Sequence, residues 1–368
     1  MKSYPVLVLM LGLTVLGLRA AGTEKPPFRI GIVGLVHDHA QGFLGDLGAR
    51  HDIQLVGIAE SNPNLVARYA ANYKLPLTLF YPSLEKMLDA THVTAVAVCS
   101  STFDHERIVR ICAERGVNVM VEKPLAVSLE HARAMAAAAA KGGIHVIVNY
   151  ETTWFPVTQA AGTIVSEGRD LGDLRKMIVH DGHQGPREIG ASKEFLEWLT
   201  DPVLDGGGAL MDFGCYGADI ITWFMQGRRP VSVTAVTQQI KPDIYPKVDD
   251  EATIILTYPH AQGIIQASWN WPFGRKDFEL YGTHGSLIAP ERNQLRIRTA
   301  NAPEREMILP ALEGDRRSPL DFFAAVVRGE VKPDGLSSLE TNLVVAEILD
   351  AARASSRTGH RVDLPAQN

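Results

Sequence analysis

The lysine at position 123 is the first residue whose surroundings point to chemistry. It lies in the run Glu122-Lys123-Pro124-Leu125, directly after the apolar stretch 117–121. A side chain that follows a buried parallel strand emerges at the carboxyl edge of the sheet, where open α/β sheets bind ligands. Pro124 restricts the backbone of Lys123 to extended conformations. An ammonium held there can donate a hydrogen bond to a substrate oxygen during hydride transfer, and the alternative is a salt bridge in a surface loop.

A second group of candidates follows the three consecutive glycines at positions 206–208. A helix is predicted over 209–224, and the spacing of Asp212, Tyr216 and Asp219 would place all three on one face of it. A carboxylate next to a phenol can hold the phenol's proton in place and pair with a substrate hydroxyl, so Tyr216 is a candidate acid or base. The alternative is an ordinary buried tyrosine in a helix.

The turn after the first predicted strand has the place of a dinucleotide-binding turn. Gly34 can form the tight turn, whereas Val36 and His39 stand where a Gly-x-Gly-x-x-Gly sequence has its other two glycines. A pyrophosphate would lie on backbone N–H groups of this turn, at the N-terminus of the next helix. Glu60 closes the second predicted strand, where a carboxylate accepts from a ribose 2′-hydroxyl; this favours NAD over NADP, and a solvated turn residue is the alternative.

The elements that must position these residues alternate in type over the first 150 positions. Strands that alternate with helices indicate βαβ units and a parallel, doubly wound α/β sheet with right-handed crossovers. We therefore expect a Rossmann domain over residues 27–148. The predicted strands are 28–35, 53–59, 95–99, 117–121 and 144–148, and the predicted helices include 62–73, 104–115 and 129–141.

After about residue 149 the pattern changes, because apolar runs follow one another without helices between them. This indicates an open, mainly antiparallel sheet in an α+β domain, which we place at residues 149–364. The helix over 209–224 and a second predicted helix over 339–355 flank these runs. The predicted strands are 231–240, 251–258, 263–271, 278–281 and 295–298.

With these motifs the sequence resembles the Gfo/Idh/MocA oxidoreductases, named for glucose-fructose oxidoreductase and inositol dehydrogenase. The resemblance implies catalytic roles for Lys123 and Asp212, and Tyr216 stands where most members have histidine and some sugar and dihydrodiol dehydrogenases have tyrosine. His105 matches a histidine common in the family. The resemblance also implies homo-oligomers formed through the sheet of the second domain. The expected cofactor-binding residues are Gly34, Val36, His37, His39, Glu60, Ser100, His105 and Glu122.

Charge and composition limit the partners. The 368 residues include 36 Lys plus Arg against 42 Asp plus Glu, a net charge of −6, so no basic field is available for nucleic acid. The three cysteines, Cys99, Cys112 and Cys215, are too few for a disulfide framework and lack the pairing of a zinc site, which predicts buried small side chains. We expect a small-molecule substrate, namely a sugar, cyclitol or related polyol.

The N-terminus predicts export. Residues 1–22 combine Lys2, an apolar run over 6–18 and small residues at the end, which is typical of a cleaved secretory signal peptide. The run is too short for a membrane-spanning helix, so we expect no stable membrane insertion and a periplasmic or extracellular protein. Because no pool of free nicotinamide cofactor exists there, the expectation is a tightly bound NAD that is regenerated within each turnover.

A different class of function rests on histidines. His37 and His39 with Asp38 form one cluster, and a second cluster of His180, Asp181 and His183 follows in the other domain. Imidazole and carboxylate groups suit a divalent metal such as zinc or manganese, so a cofactor-independent or metal-assisted lyase or hydrolase of modified sugars is the alternative. Solvated or hydrogen-bonded histidines explain the same pattern without a metal. A sugar-binding protein with relic catalytic residues is the third possibility, and four tryptophans could supply stacking platforms for it: Trp154, Trp198, Trp269 and Trp271.

Overall fold

The computed structural model describes residues 26–365 and contains two β-sheets. The expected signal peptide, residues 1–22, lies outside the described residues. Among those that are described, no helix is both long and apolar enough to cross a membrane.

The first sheet has six parallel strands in the order β3-β2-β1-β4-β5-β6, which confirms the predicted Rossmann topology. Its central strands are apolar on both faces because helices cover both; all four residues of β4 are buried. The strands are β1 Phe28–Val33, β2 Ile53–Ala59, β3 Phe80–Tyr81, β4 Ala95–Val98, β5 Asn118–Glu122 and β6 Val146–Asn149.

Local signals start and stop the helices of this half. The side chains of Asn62 and Ser128 accept hydrogen bonds from the first-turn amides of α2 and α5, and Gly143 ends α5 with φ of 63°. The sequence did not predict β3 and α3, which are short. The helices are α1 His39–Gly48, α2 Pro63–Tyr73, α3 Leu84–Thr91, α4 His105–Glu114 and α5 Leu129–Gly142.

The second sheet has nine strands in the order β14-β13-β12-β11-β7-β10-β9-β8-β15. It is mainly antiparallel, as predicted, but β7 and β10 run parallel, so the chain does not form a simple meander. The exposed edge strand β14 was missed because its charged residues show no apolar alternation. The strands are β7 Leu174–Gly182, β8 Ser232–Gln238, β9 Glu251–Thr257, β10 Gln262–Ser268, β11 Arg275–Gly282, β12 Gly285–Glu291, β13 Gln294–Thr299, β14 Ala302–Ile308 and β15 Val362–Asp363.

Most helices of the second half pack against this second sheet, and α10 packs against the first sheet. Helix α10 follows strands β7–β14 of the second sheet in sequence, yet it packs against β1, where the rings of Phe28 and Phe323 meet edge to face at 5.8 Å. The helices are α6 Pro156–Glu167, α7 Lys193–Leu199, α8 Ala209–Asp212, α9 Gly214–Phe224, α10 Pro319–Val327 and α11 Leu339–Thr358.

The helix predicted over 209–224 is interrupted, and this corrects one expectation. α8 ends at Asp212 and α9 begins at Gly214. The amide of Tyr216 donates to the carbonyl of Phe213 at 3.1 Å, while the Asp212 carbonyl accepts from Lys123 Nζ at 3.1 Å. The Asp212 carbonyl also accepts from Cys215 Sγ at 3.2 Å, so it does not continue the helix to Tyr216. Asp212 therefore does not lie on one continuous helix with Tyr216 and Asp219.

Candidate functional site

Lys123 and Asp212 form a buried ion pair where the carboxyl edge of the first sheet meets α8. Lys123 Nζ donates to Asp212 Oδ1, and the two side chains are only 7% and 6% exposed. The other oxygen, Asp212 Oδ2, accepts from Trp269 Nε1 at 2.9 Å. The structure thus brings together two of the three predicted catalytic residues, from halves of the chain 89 positions apart.

The pair fixes its own charge state. Burial opposes both charges, but the Asp212 carboxylate outweighs it and raises the pKa of Lys123. Burial alone would raise the pKa of Asp212, and the ammonium of Lys123 instead holds that pKa below its ordinary value. Lys123 is therefore a charged donor and Asp212 a carboxylate at neutral pH.

Tyr216 is the third predicted catalytic residue, and it lies beside the pair. Lys123 Nζ is 5.2 Å from the centroid of its ring, and the side chain is buried. No hydrogen bond joins Tyr216 to Asp212 in the described chain, because Asp212 Oδ1 accepts from Lys123 and Oδ2 from Trp269. Burial, followed by the charge of Asp181, raises the pKa of Tyr216 well above its ordinary range.

Lys276 also belongs to this site, although no motif in the sequence pointed to it. Its Nζ lies 3.8 Å from the centroid of the Tyr216 ring, 3.5 Å from Asp181 Oδ1 and 3.3 Å from a carboxylate oxygen of Glu151. Asp181 on β7 faces Lys276 on β11 in the antiparallel register. Only this pairing of distant strands brings the second lysine to the tyrosine.

The predicted cluster of His180, Asp181 and His183 does not form a metal-ligand set in the described residues. His180 Nδ1 pairs with an oxygen of Asp277 at 3.1 Å. His183 Nδ1 accepts from the amide of Gly185 at 2.9 Å, so its proton lies on Nε2 when the ring is neutral. Burial lowers the pKa of His183, which keeps it a neutral donor near the ion pair.

In the turn after β1, Gly34 adopts φ of +82°, and a Cβ there would lie 2.9 Å from the Cys99 carbonyl oxygen. Glycine is thus required for the tight turn. Glu60, at the end of β2, accepts from the amides of Leu35 at 2.9 Å and Asn62 at 2.8 Å. The carboxylate placed by sequence at the ribose position therefore also holds the turn.

His37, His39 and Glu122 converge at the start of α1. Their potential ligand atoms all lie within 4.8 Å of one another. His39 Nδ1 is 2.9 Å from Glu122 Oε2, and Glu122 Oε1 accepts from Asn149 Nδ2 at 2.8 Å. The Nδ1 atom of His37 accepts from the His39 amide at 3.2 Å, so in the neutral ring its buried, unpartnered Nε2 carries the proton.

The remaining predicted cofactor residues surround the same edge. The carbonyl of half-buried Val36 accepts from Trp198 Nε1 at 3.3 Å. The Ser100 hydroxyl donates to the Ser101 carbonyl at 2.9 Å. His105 Nδ1 contacts the Leu125 carbonyl at 3.1 Å, which leaves its buried Nε2 as an acceptor without a partner. Burial lowers the pKa of both His37 and His105, so both rings are neutral.

Two of the tryptophans offered as stacking platforms cannot serve. Trp269 is fully buried and holds Asp212, and Trp198 is 4% exposed and packs with Phe195 against His37. The three cysteines are buried free thiols, as predicted.

Comparison with known proteins agrees with this architecture. Residues 28–150 match the oxidoreductase family with an NAD-binding Rossmann fold, GFO_IDH_MocA, and residues 158–288 match the GFO/IDH/MocA C-terminal domain. A trans-1,2-dihydrobenzene-1,2-diol dehydrogenase from Xenopus tropicalis is 25% identical over 82% of this chain and 89% of its own. A 1,5-anhydro-D-fructose reductase from Ensifer adhaerens is 24% identical over 74% of this chain and 82% of its own.

Solved structures show the same fold. Aldose-aldose oxidoreductase from Caulobacter crescentus, complexed with glycerol, superposes with a TM-score of 0.78 at 23% identity, over 92% of this chain and all of that one. An inositol dehydrogenase homologue from Azotobacter vinelandii, complexed with NAD⁺, gives 0.79 at 19% identity, over 92% of this chain and 98% of the other. The two matched domains and their order show that this chain belongs to the GFO/IDH/MocA family of oxidoreductases.

Proposed function

We propose that this protein uses NAD to oxidise a CH–OH group of a sugar, cyclitol or related polyol, or to reduce the corresponding carbonyl group. The observation that carries the proposal is the buried Lys123–Asp212 pair with Tyr216 beside it, at the ligand-binding edge of a Rossmann sheet. The activities named for the dehydrogenase and reductase relatives support the choice of substrate class.

The residues around the first turn fit a dinucleotide. Gly34 makes the tight turn, where a Cβ would collide with the Cys99 carbonyl, and Glu60 follows β2 at the ribose position. Two buried imidazole nitrogens, on His37 and His105, have no protein partner in the described chain and supply one donor and one acceptor. Val36 and His39 occupy the other two glycine positions. The edge of the first sheet beside the turn nevertheless keeps the polar nitrogens of His37 and His105.

Lys123 and Tyr216 act on the substrate oxygen in this proposal. Lys123 donates a hydrogen bond to it and stabilises negative charge as it develops, while Tyr216 exchanges the hydroxyl proton. Asp212 acts through Lys123, whose ammonium it orients. The nicotinamide, when bound, supplies or accepts the hydride. Trp269 fixes Asp212 in turn through its indole N–H.

We also propose that the protein is exported and that its NAD is held through each turnover. The N-terminal signal sequence supports export. An exported enzyme without a free cofactor pool then has to couple oxidation of one substrate to reduction of the next.

The test is what the purified, processed protein carries and turns over. We expect NAD to be released on denaturation, and a mixture of a polyol and a keto-sugar to be interconverted without added cofactor. Absence of bound dinucleotide, together with no thermal shift on adding NAD or NADP, would contradict the proposal.

A metal-assisted lyase or hydrolase is the second candidate, and His37, His39 and Glu122 are the observation that favours it. To bind a metal through Nε2, however, His37 would have to give up the hydrogen bond from the His39 amide. A thermal shift with zinc or manganese that a chelator reverses would support this candidate.

A further inference from the structure

Asp181 and Lys276 lie beside the site but have no part in the function proposed above. They face each other across β7 and β11, with Lys276 Nζ 3.5 Å from Asp181 Oδ1. The same ammonium is 3.8 Å from the centroid of the Tyr216 ring. Asp181 is 1% exposed, and neither of its carboxylate oxygens accepts a hydrogen bond from the described residues. A buried carboxylate with free lone pairs is costly, which indicates a task for it.

A small cavity adjoins Asp181 and gives it room for one water. Its volume is about 10 Å³, and Thr152, Thr158, Asp181 and Lys276 are among its lining residues. The hydroxyls of Thr152 and Thr158 are buried without hydrogen-bond partners in the described chain. A buried water requires roughly this space and two to four polar partners, which the two hydroxyls and the carboxylate supply. One water can thus solvate Asp181 without opening the site.

The charges around Asp181 let it gain and lose a proton. Burial raises the pKa of Asp181 to about 7, the ammonium groups of Lys276 and Lys123 lower it, and the carboxylates of Glu151 and Asp212 raise it. After burial, Asp181 is the main cause of the raised pKa of Tyr216. The two groups therefore sense each other's protonation.

We propose that Asp181 is the proton-relay partner of Tyr216, and that Lys276 holds the carboxylate and the phenol in place for the transfer. This rests on the proposed function. Because no hydrogen bond joins Tyr216 to Asp181 in the described chain, the transfer runs through one bridging water. During oxidation the substrate O–H bond breaks and its proton binds Tyr216 Oη, while the O–H bond of Tyr216 breaks and that proton binds the water, which gives one of its own protons to Asp181. The nicotinamide, when bound, would take up the electron pair of the substrate C–H bond as hydride. Reduction follows the reverse path.

The first test needs no substrate and uses Asp181→Asn in the full-length, processed protein. A carboxyl whose pKa is raised in the folded state stabilises the fold fully below its unfolded pKa and loses that contribution as pH rises through about 7. The wild type should therefore lose more thermal stability than Asp181→Asn between about pH 5 and pH 8. Asp277→Asn is the matched control. The pKa of Asp277 is lowered, so replacing its carboxylate should not change the loss of thermal stability between about pH 5 and pH 8. Equal slopes in the wild type and Asp181→Asn would overturn the proposal.

The second test is kinetic. Asp181→Asn should lower kcat at least about a hundredfold, the lower end of general acid–base effects, with little change in KM. Lys276→Met should shift the pH profile of kcat upward, since the lost cation raises the pKa of Asp181. Lys176→Met is the control, because Lys176 lies on β7, the strand of Asp181, but pairs with Gln262. A wild-type kcat and pH profile in Asp181→Asn would refute the relay.

Failure of the proposed function would look different. If the wild type neither binds a dinucleotide nor turns over any polyol, the ionisation of Tyr216 still decides the relay. The ionisation of Tyr216 is measured as ultraviolet absorbance against pH. The absorbance of the same protein carrying Tyr216→Phe is subtracted, so that only Tyr216 contributes. In Asp181→Asn the midpoint should move to lower pH, because the neighbouring negative charge is gone. An unmoved midpoint would show that the two groups are not coupled.

Discussion

At the scale of single residues, the site depends on a charge pair that neither member could maintain alone in its buried position. Lys123 and Asp212 are each nearly inaccessible, and a lone buried charge costs several kcal/mol. The pair is stable because each side chain neutralises the other and because Trp269 satisfies the second carboxylate oxygen. Activity and folding are therefore linked at these positions, and a single substitution tests both at once.

Lys123→Ala should lower kcat by about two to four orders of magnitude. It should also destabilise the fold by about 3–5 kcal/mol, because Asp212 stays buried without its partner. The double variant Lys123→Met with Asp212→Asn removes both charges and should recover most of that stability while remaining inactive. Denaturant unfolding and turnover of the polyol substrate measure the two effects. A stable single variant, or an active double variant, would contradict this interpretation.

Trp269→Phe keeps the aromatic packing and removes only the N–H that Asp212 Oδ2 accepts. Leaving that buried oxygen unpaired should cost about 1–3 kcal/mol of unfolding free energy and should lower kcat more than it raises KM. Trp223→Phe is a control outside the site, where Trp223 stacks on Phe224. If both variants lose activity equally, Trp269 does not position Asp212.

At the scale of elements, three glycines and an interrupted helix bring Asp212 to the lysine. Gly208 immediately precedes α8, and a Cβ on it would lie 1.9 Å from the Asp249 carbonyl oxygen. Asp249 in turn accepts from the amides of Gly208 at 3.2 Å and Leu210 at 2.7 Å. The segment can approach Asp249, just before β9, this closely only with no side chain at position 208, which explains the last of the three glycines.

Gly208→Ala should therefore displace α8 and lower both the melting temperature and kcat. Gly45→Ala is the matched substitution, since Gly45 lies exposed within α1 and a Cβ there would meet no atom within 4 Å. Alanine in an exposed helical position should add about 0.5–1 kcal/mol of stability and leave kcat unchanged. Thermal melts and turnover of both variants give the comparison, and a harmless Gly208→Ala would show that the close approach does not fix α8.

At the scale of the whole molecule, the last part of the chain stabilises the first sheet. Asp321 on α10 accepts from Arg50 at 2.6 Å, from Arg317 and from the hydroxyl of Ser318. Burial opposes the charged carboxylate, but these hydrogen bonds outweigh it and lower the pKa of Asp321 to about 2. Arg50 also pairs with Asp52, so α10 and the β1–β2 region share one ion-pair network.

This network predicts a pH dependence. A carboxyl with a depressed folded pKa contributes stability above its unfolded pKa of about 3.9 and loses it as pH falls through about 2. Asp321→Asn should thus be less stable than the wild type at pH 7, and the difference should shrink between about pH 4 and pH 2. Chemical denaturation across that range measures it, and a difference independent of pH would show that the charge of Asp321 is not involved.

The sequence by itself determined the type of most of the long elements in the first sheet, because apolar periodicity records which faces are buried. It placed five of the six Rossmann strands, the mainly antiparallel second sheet, and Lys123, Asp212 and Tyr216 as candidates through motifs that are contiguous in the chain. It could not show the break at Phe213, where the Asp212 carbonyl accepts from the distant Lys123 and the Tyr216 amide donates to Phe213 instead. Nor could it show Lys276 beside Tyr216, because strand register across β7 and β11 is decided by packing between distant segments. Tertiary structure alone thus decided which charges meet, and with that which of them can exchange a proton.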